Sequence, residues 1–126
     1  MRLDFDTKKL AAKVDNNASV FIRKIAIDGL QRLIVQSPVD TGRFKANWSS
    51  SVGNMDTSTT EETTSNFSQQ SKGIRDYKVN QPMFLHNNLE YAIPLEYGSS
   101  KQAPKGWIRN TANLLQKKLN EIKDLI

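Results

Sequence analysis

The chain has 126 residues, no cysteine and a formal net charge of +5, enough for one domain with a modest core but without the thiols of a disulfide framework, a thiolate nucleophile or a cysteine metal site. Apolar residues make up 37%, mean hydropathy is −0.58, and no apolar run approaches the roughly 20 residues of a membrane span. The opening residues, MRLDFDTKKLAAKV, carry acids where a secretory signal would be apolar, so a protein kept in or assembled from the cytoplasm is expected. Charge is uneven: residues 1–50 sum to +4, 51–71 to −3 and 72–126 to +4. Cations and acids are interspersed, with no run of like charge of the kind that marks a nucleic-acid tail.

In chain order, the first predicted element is a long helix. Apolar or small residues at 18, 21, 22, 25, 26, 29, 30, 33 and 34 recur at the spacing of one helix face. Pro38 should stop it, since the residue before a proline is driven from helical geometry. Gly29 within the face suggests close packing against another element. Short, partly alternating segments at 44–52 and 78–85 read as strands. A final helix is expected over about 105–125, with Ile108, Ala112, Leu115, Leu119, Ile122 and Ile126 alternately four and three residues apart.

Between the strands, residues 49–71 hold twelve Ser or Thr among 23 residues and few large apolar side chains. Such a segment cannot anchor a core, and reads as a flexible or hairpin arm within a single domain spanning 1–126. Its composition predicts mobility in a free monomer and strand pairing once a neighbour offers an edge. The class expected is α+β: a long N-terminal helix, a small antiparallel sheet with an extended Ser/Thr-rich arm, and a C-terminal helix.

The tripeptide Asp40-Thr41-Gly42 is the signature of an aspartic protease and also an ordinary turn. The protease reading lacks its framing: a helix and Ser-Pro precede the tripeptide, Arg43-Phe44-Lys45 follow, and no later apolar-Gly element would brace such a loop. A turn suits the residues better, with Asp40 and Thr41 satisfying backbone N–H groups and Gly42 taking positive φ. His86 is the single histidine, which removes a histidine-based triad or multi-histidine metal site. Neither GxxxxGK[ST] nor GxGxxG occurs. No catalytic residue, cofactor or metal site is assigned, and an enzyme is not expected.

Three blocks carry a family resemblance: "SPVDTGRFKANW" (37–48), "NNLEYAIPLEYGSS" (87–100) and "KQAPKGWIRNTA" (101–112). In this order they resemble the tail-component proteins of long-tailed bacteriophages, the tail-completion or neck-type head–tail connector proteins. Phe44 stands where that family often has leucine, Asn47 where it has a small residue, and the Ser/Thr arm has no counterpart. The resemblance implies a non-catalytic structural subunit of the virion, assembled in the host cytoplasm as a homo-oligomeric ring, commonly sixfold, at the tail or neck. Its partners would be tail-tube and head-completion proteins, with DNA only as passing genome and no membrane.

Trp48 is read as core, or alternatively interface; Tyr91, Tyr97, Gly98 and Trp107 share that core-or-interface reading, and Glu96 is a candidate partner for Arg43. Lys101, Lys105 and Arg109 with Trp107 form a basic-aromatic group. That group carries the alternative function, a small nucleic-acid-binding module, against a plain solvated loop and helix start.

Overall fold

The computed structural model describes residues 2–4, 16–38, 42–78, 81–90, 92 and 106–125. The fold is α+β. Strand β1 (Arg2–Asp4) is followed by helix α1 (Asn16–Gln36), the one-turn helix α2 (Arg43–Ala46), strand β2 (Trp48–Val52), two further single turns α3 (Phe67–Gln70) and α4 (Lys72–Arg75), strand β3 (Met83–Asn87) and helix α5 (Trp107–Leu125).

The three strands form an antiparallel sheet in the order β1-β3-β2. Trp48 pairs with Asn87, Ser50 with Leu85 and Val52 with Met83. Since side chains alternate along a strand, these six share one face, and Trp48, Met83 and Leu85 join the core there. The opposite face carries the register pairs Ser49–His86 and Ser51–Phe84.

Helix α1 buries Ser19, Ile22, Ala26, Gly29, Leu30 and Leu33, the three- and four-residue recurrence that its sequence announces. Phe21, assigned to that face by periodicity, instead lies at its rim and is 59% exposed. The helix ends as Pro38 requires: Ser37 donates from its amide to Ile34 O and from its hydroxyl to Leu33 O, satisfying the last turn. Helix α5 packs along α1 through Ile108, Leu115 and Leu119. A Cβ at Gly29 would lie 2.6 Å from Leu115 Cδ2, so the glycine sets how closely the two helices approach.

Both expected strands need new bounds. Residues 43–46 form a helical turn, closed by Ala46 N–H to Gly42 O and Asn47 N–H to Arg43 O, so β2 begins only at Trp48. This turn swings Phe44 inward, where it is 4% exposed. The later strand begins at Met83, just after Pro82, whose ring nitrogen has no proton for a ladder bond and whose carbonyl accepts from Gly53.

The Ser/Thr-rich segment follows an extended course. No strand forms among residues 53–66, so a hairpin is not what it builds. It leaves β2 at Gly53 and returns through α3 and α4, which cover the outer edge of that strand. Gly73 makes this cover possible: a Cβ there would lie 2.5–2.6 Å from Ser50 C, Ser50 O and Ser51 N. An edge strand masked in this way cannot pair with another chain at its centre.

Candidate functional site

The residues singled out in the sequence fall into two groups. Gly42, Trp48, Trp107 and Arg109 are among the described residues; Asp40, Thr41, Tyr91, Glu96, Tyr97, Gly98, Lys101 and Lys105 lie outside them.

Phe44 gathers the two tryptophans of the first group. Its ring meets Trp48 edge-on at 6.0 Å and 83° between planes, and Trp107 at 6.2 Å and 65°, the geometry that aromatic quadrupoles favour. Asn87 Nδ2 donates to Phe44 O at 2.9 Å. Trp48 is fully buried and its indole N–H donates to Ser37 Oγ at 2.8 Å. Residues from all three sequence blocks therefore meet at one point, and the meeting is a core.

Trp107 is 1% exposed, so it is core, and its ring offers no face on which a nucleic-acid base could stack. The basic-aromatic group thus loses its aromatic member at the described positions, while Arg109 is exposed on the first turn of α5.

Gly42 has φ 80° and precedes α2 directly, the left-handed conformation that the turn reading expects of it. A side chain there would also collide with the carbonyl oxygen of Thr63. The turn is therefore covered by the Ser/Thr-rich segment. Arg43 reaches the same segment, donating from Nε to Thr60 O at 3.1 Å and pairing with Glu61 at 3.0 Å. Its expected partner Glu96 lies outside the described residues.

Asn47 is the residue that sequence reasoning undervalued. Its Nδ2 donates to Arg43 O at 2.8 Å and Thr60 O at 3.0 Å, while its Oδ1 accepts from Thr60 N–H at 2.9 Å. The amide thus pairs with the segment backbone as a strand would. Asn88 holds the segment further along, donating from Nδ2 to the carbonyls of Asp56 and Ser58 at 3.0 and 2.9 Å. The only sequence signal for this clamp was the appearance of asparagine where the resembling family has a small residue.

His86 is 1% exposed in the central strand, and neither ring nitrogen has a hydrogen-bond partner among the described residues. Burial pushes its pKa below 6.5, against a weaker opposing pull from the Asp56 carboxylate. Hydrogen bonds from the Ser58 backbone and side chain hold the Asp56 carboxyl below its ordinary value. Among the described residues no base or nucleophile lies within hydrogen-bond reach of the ring. Among the described residues no cluster of three or more His, Asp or Glu is placed to hold a metal, and no described helix is long and apolar enough to cross a membrane.

A groove of about 450 Å³ lies between β2, the 56–66 segment and helices α3 and α4. Among the described residues its lining comprises hydroxyls, amides, the carboxylates Asp56, Glu62 and Asp76, the cation Lys72 and the apolar residues Ala46, Trp48 and Val52. No model of a protein family, no curated protein and no solved structure matches the chain.

Proposed function

We propose that this chain is a structural virion protein: a tail-completion or head–tail connector ring subunit that joins the tail of a long-tailed bacteriophage to its head. The observation that carries the reading is the ordered set of three sequence blocks, whose residues Phe44, Trp48, Asn87 and Trp107 converge in one buried hub. Blocks that define a framework suit a subunit whose work is shape and contact. The Asp-Thr-Gly element fits the same view, since Gly42 and Arg43 serve a covered turn. Exposed Val20, Phe21 and Val35 on α1, at 59–68% exposure, supply apolar surface beyond the core of a single copy.

The subunit acts without catalysis or cofactor, as a homo-oligomeric ring, probed best by electron microscopy of virions produced without it. Separate heads and unfinished or unjoined tails are the expected result, and normal joined particles would overturn the reading. DNA affinity falling steeply with salt, in a chain that shows no self-association, would favour the nucleic-acid-binding alternative instead.

A further inference from the structure

We propose that copies of this chain associate head to tail, the acidic groove beside β2 of one copy receiving the outer face of α5 of the next, with Lys117 and Lys118 set against Asp56 and Glu62. The inference rests on the assembly reading above and supplies the two surfaces through which such an assembly forms.

The groove provides acceptors. Lys72, its one cation among the described residues, is engaged with Asp76 at 2.9 Å, and Glu61 nearby is engaged with Arg43. The carboxylates of Asp56 and Glu62 are both exposed and form no ion pair among the described residues. A second acceptor type belongs to the same wall: Gln70 is 5% exposed, its Nε2 donates to Lys45 O at 2.8 Å, and its Oε1 has no donor among the described residues. The open carboxylates of the groove thus call for N–H donors carrying positive charge.

Helix α5 provides them. Its outward residues include Arg109, Asn113, Gln116, Lys117, Asn120 and the acid Glu121, with Lys118 half-buried beside them. Neither Lys117 nor Lys118 forms an ion pair among the described residues. Ammonium groups on long stems interleaved with amides match a groove of carboxylates and hydroxyls.

Placement makes the contact intermolecular. Helix α5 packs on α1 and β1, whereas α3 and α4 pack on β2, and β1 and β2 are the opposite edges of the sheet. One copy cannot bring its own groove and α5 face together. When two copies join by this contact, one groove and one α5 face remain open, so further copies add in the same sense until the rotation closes a ring. Charge adds direction: the 51–71 segment is −3 while both flanks are +4, so random approach of two copies is repulsive and the groove-to-helix approach is attractive.

The test is sedimentation velocity on the full chain across a salt series, with Asp56→Lys/Glu62→Lys, Lys117→Glu/Lys118→Glu and the fourfold combination. The wild type should self-associate, less so as ionic strength passes physiological values, where screening acts over about 8 Å. Each double variant should weaken association by about tenfold or more, because like charges then face each other. The fourfold variant, with both surfaces reversed, should recover most of it, as should a mixture of the two double variants. Glu62→Lys alone, at a side chain that forms no hydrogen bond or ion pair among the described residues, guards against misfolding and should give part of the loss. If the wild type assembles and the reversals leave association and its salt dependence unchanged, this interface is wrong while the assembly reading stands. A wild type that stays monomeric at low salt overturns both.

Discussion

The helical pair and the Ser/Thr-rich segment are held to one sheet by opposite kinds of force. Helices α1 and α5 bury Ile22, Leu30, Leu33, Ile108, Leu115 and Leu119 almost completely, and their attachment comes from apolar area removed from water, a force without direction. Residues 53–66 are mostly exposed and are held by a few directed bonds from Arg43, Asn47 and Asn88. The first kind survives imperfect geometry and loses stability in proportion to volume removed. The second is all or nothing at each contact, and the loss stays local.

The contrast is broken most severely in the core. Trp48→Ala removes the largest buried side chain beside Phe44 and strips Ser37 Oγ of its donor. A loss of about 3–5 kcal/mol is expected, read as an earlier midpoint in urea. A change below about 1 kcal/mol would mean that the hub is not the centre of the core.

Gly42 joins the two regions, and a pair of variants separates its roles. Gly42→Ala meets both the positive φ and the Thr63 carbonyl, and should cost about 1–3 kcal/mol. Asparagine tolerates positive φ far better, yet its Cβ still meets Thr63. Gly42→Asn should therefore recover only the φ part of the loss, while residues 60–64 exchange their amide protons faster in both variants. Equal loss in both variants would assign the whole effect to the collision with Thr63.

What the sequence made legible follows the same division. Helices α1 and α5 were readable because a continuous apolar stripe repeats the helical period over many residues, and averaging over several turns suppresses the noise of single positions. Gly42 was readable because few residues suit a left-handed turn. The turn at 43–46 was not, since Arg-Phe-Lys-Ala has no cap signal of its own and depends on Gly42 and on a pocket for Phe44. The burial of His86 and the clamp at Asn47 were hidden for another reason: each depends on what a distant segment does, and a polar segment leaves no periodicity from which its path can be read. The short turns α3 and α4, which cover β2, are in the same position.

Asn47 tests the directed side of the comparison alone. Asn47→Ala deletes the bonds to Arg43 O and to both Thr60 backbone groups, with about 1–3 kcal/mol expected for buried groups left without partners. Hydrogen exchange should quicken across 56–62 while the amides of α1 keep their protection. Asn47→Asp retains the acceptor for Thr60 N–H but brings a carboxylate against two carbonyl oxygens, so it should do no better than alanine. If uniform loss of protection appears in α1 as well, the segment is part of the cooperative core and the division drawn here fails.

The smallest effect at neutral pH belongs to His86 in the central strand. Because burial lowers its pKa below 6.5, the folded ring stays neutral at pH values where an unfolded chain would already take up a proton. The unfolded state therefore binds more protons as pH falls below about 6.5, and by linkage stability declines from that point downward until the folded ring also protonates. Above that window the residue contributes no pH dependence, so chemical-denaturation midpoints should be flat from pH 7 to 8 as far as His86 is concerned. The Asp56 carboxylate also has a lowered pKa, but its contribution is lost only below its ordinary 3.8, a separate and more acidic window. His86→Phe keeps a ring of comparable shape in the strand and removes the titration. Its midpoint should match or exceed the wild type and should not fall between pH 6.5 and 5. An unchanged acid slope in that variant would place the responsible group elsewhere. A slope of the opposite sign in the wild type would mean that the charged imidazolium is favoured in the folded chain, with the pull of Asp56 exceeding the cost of burial.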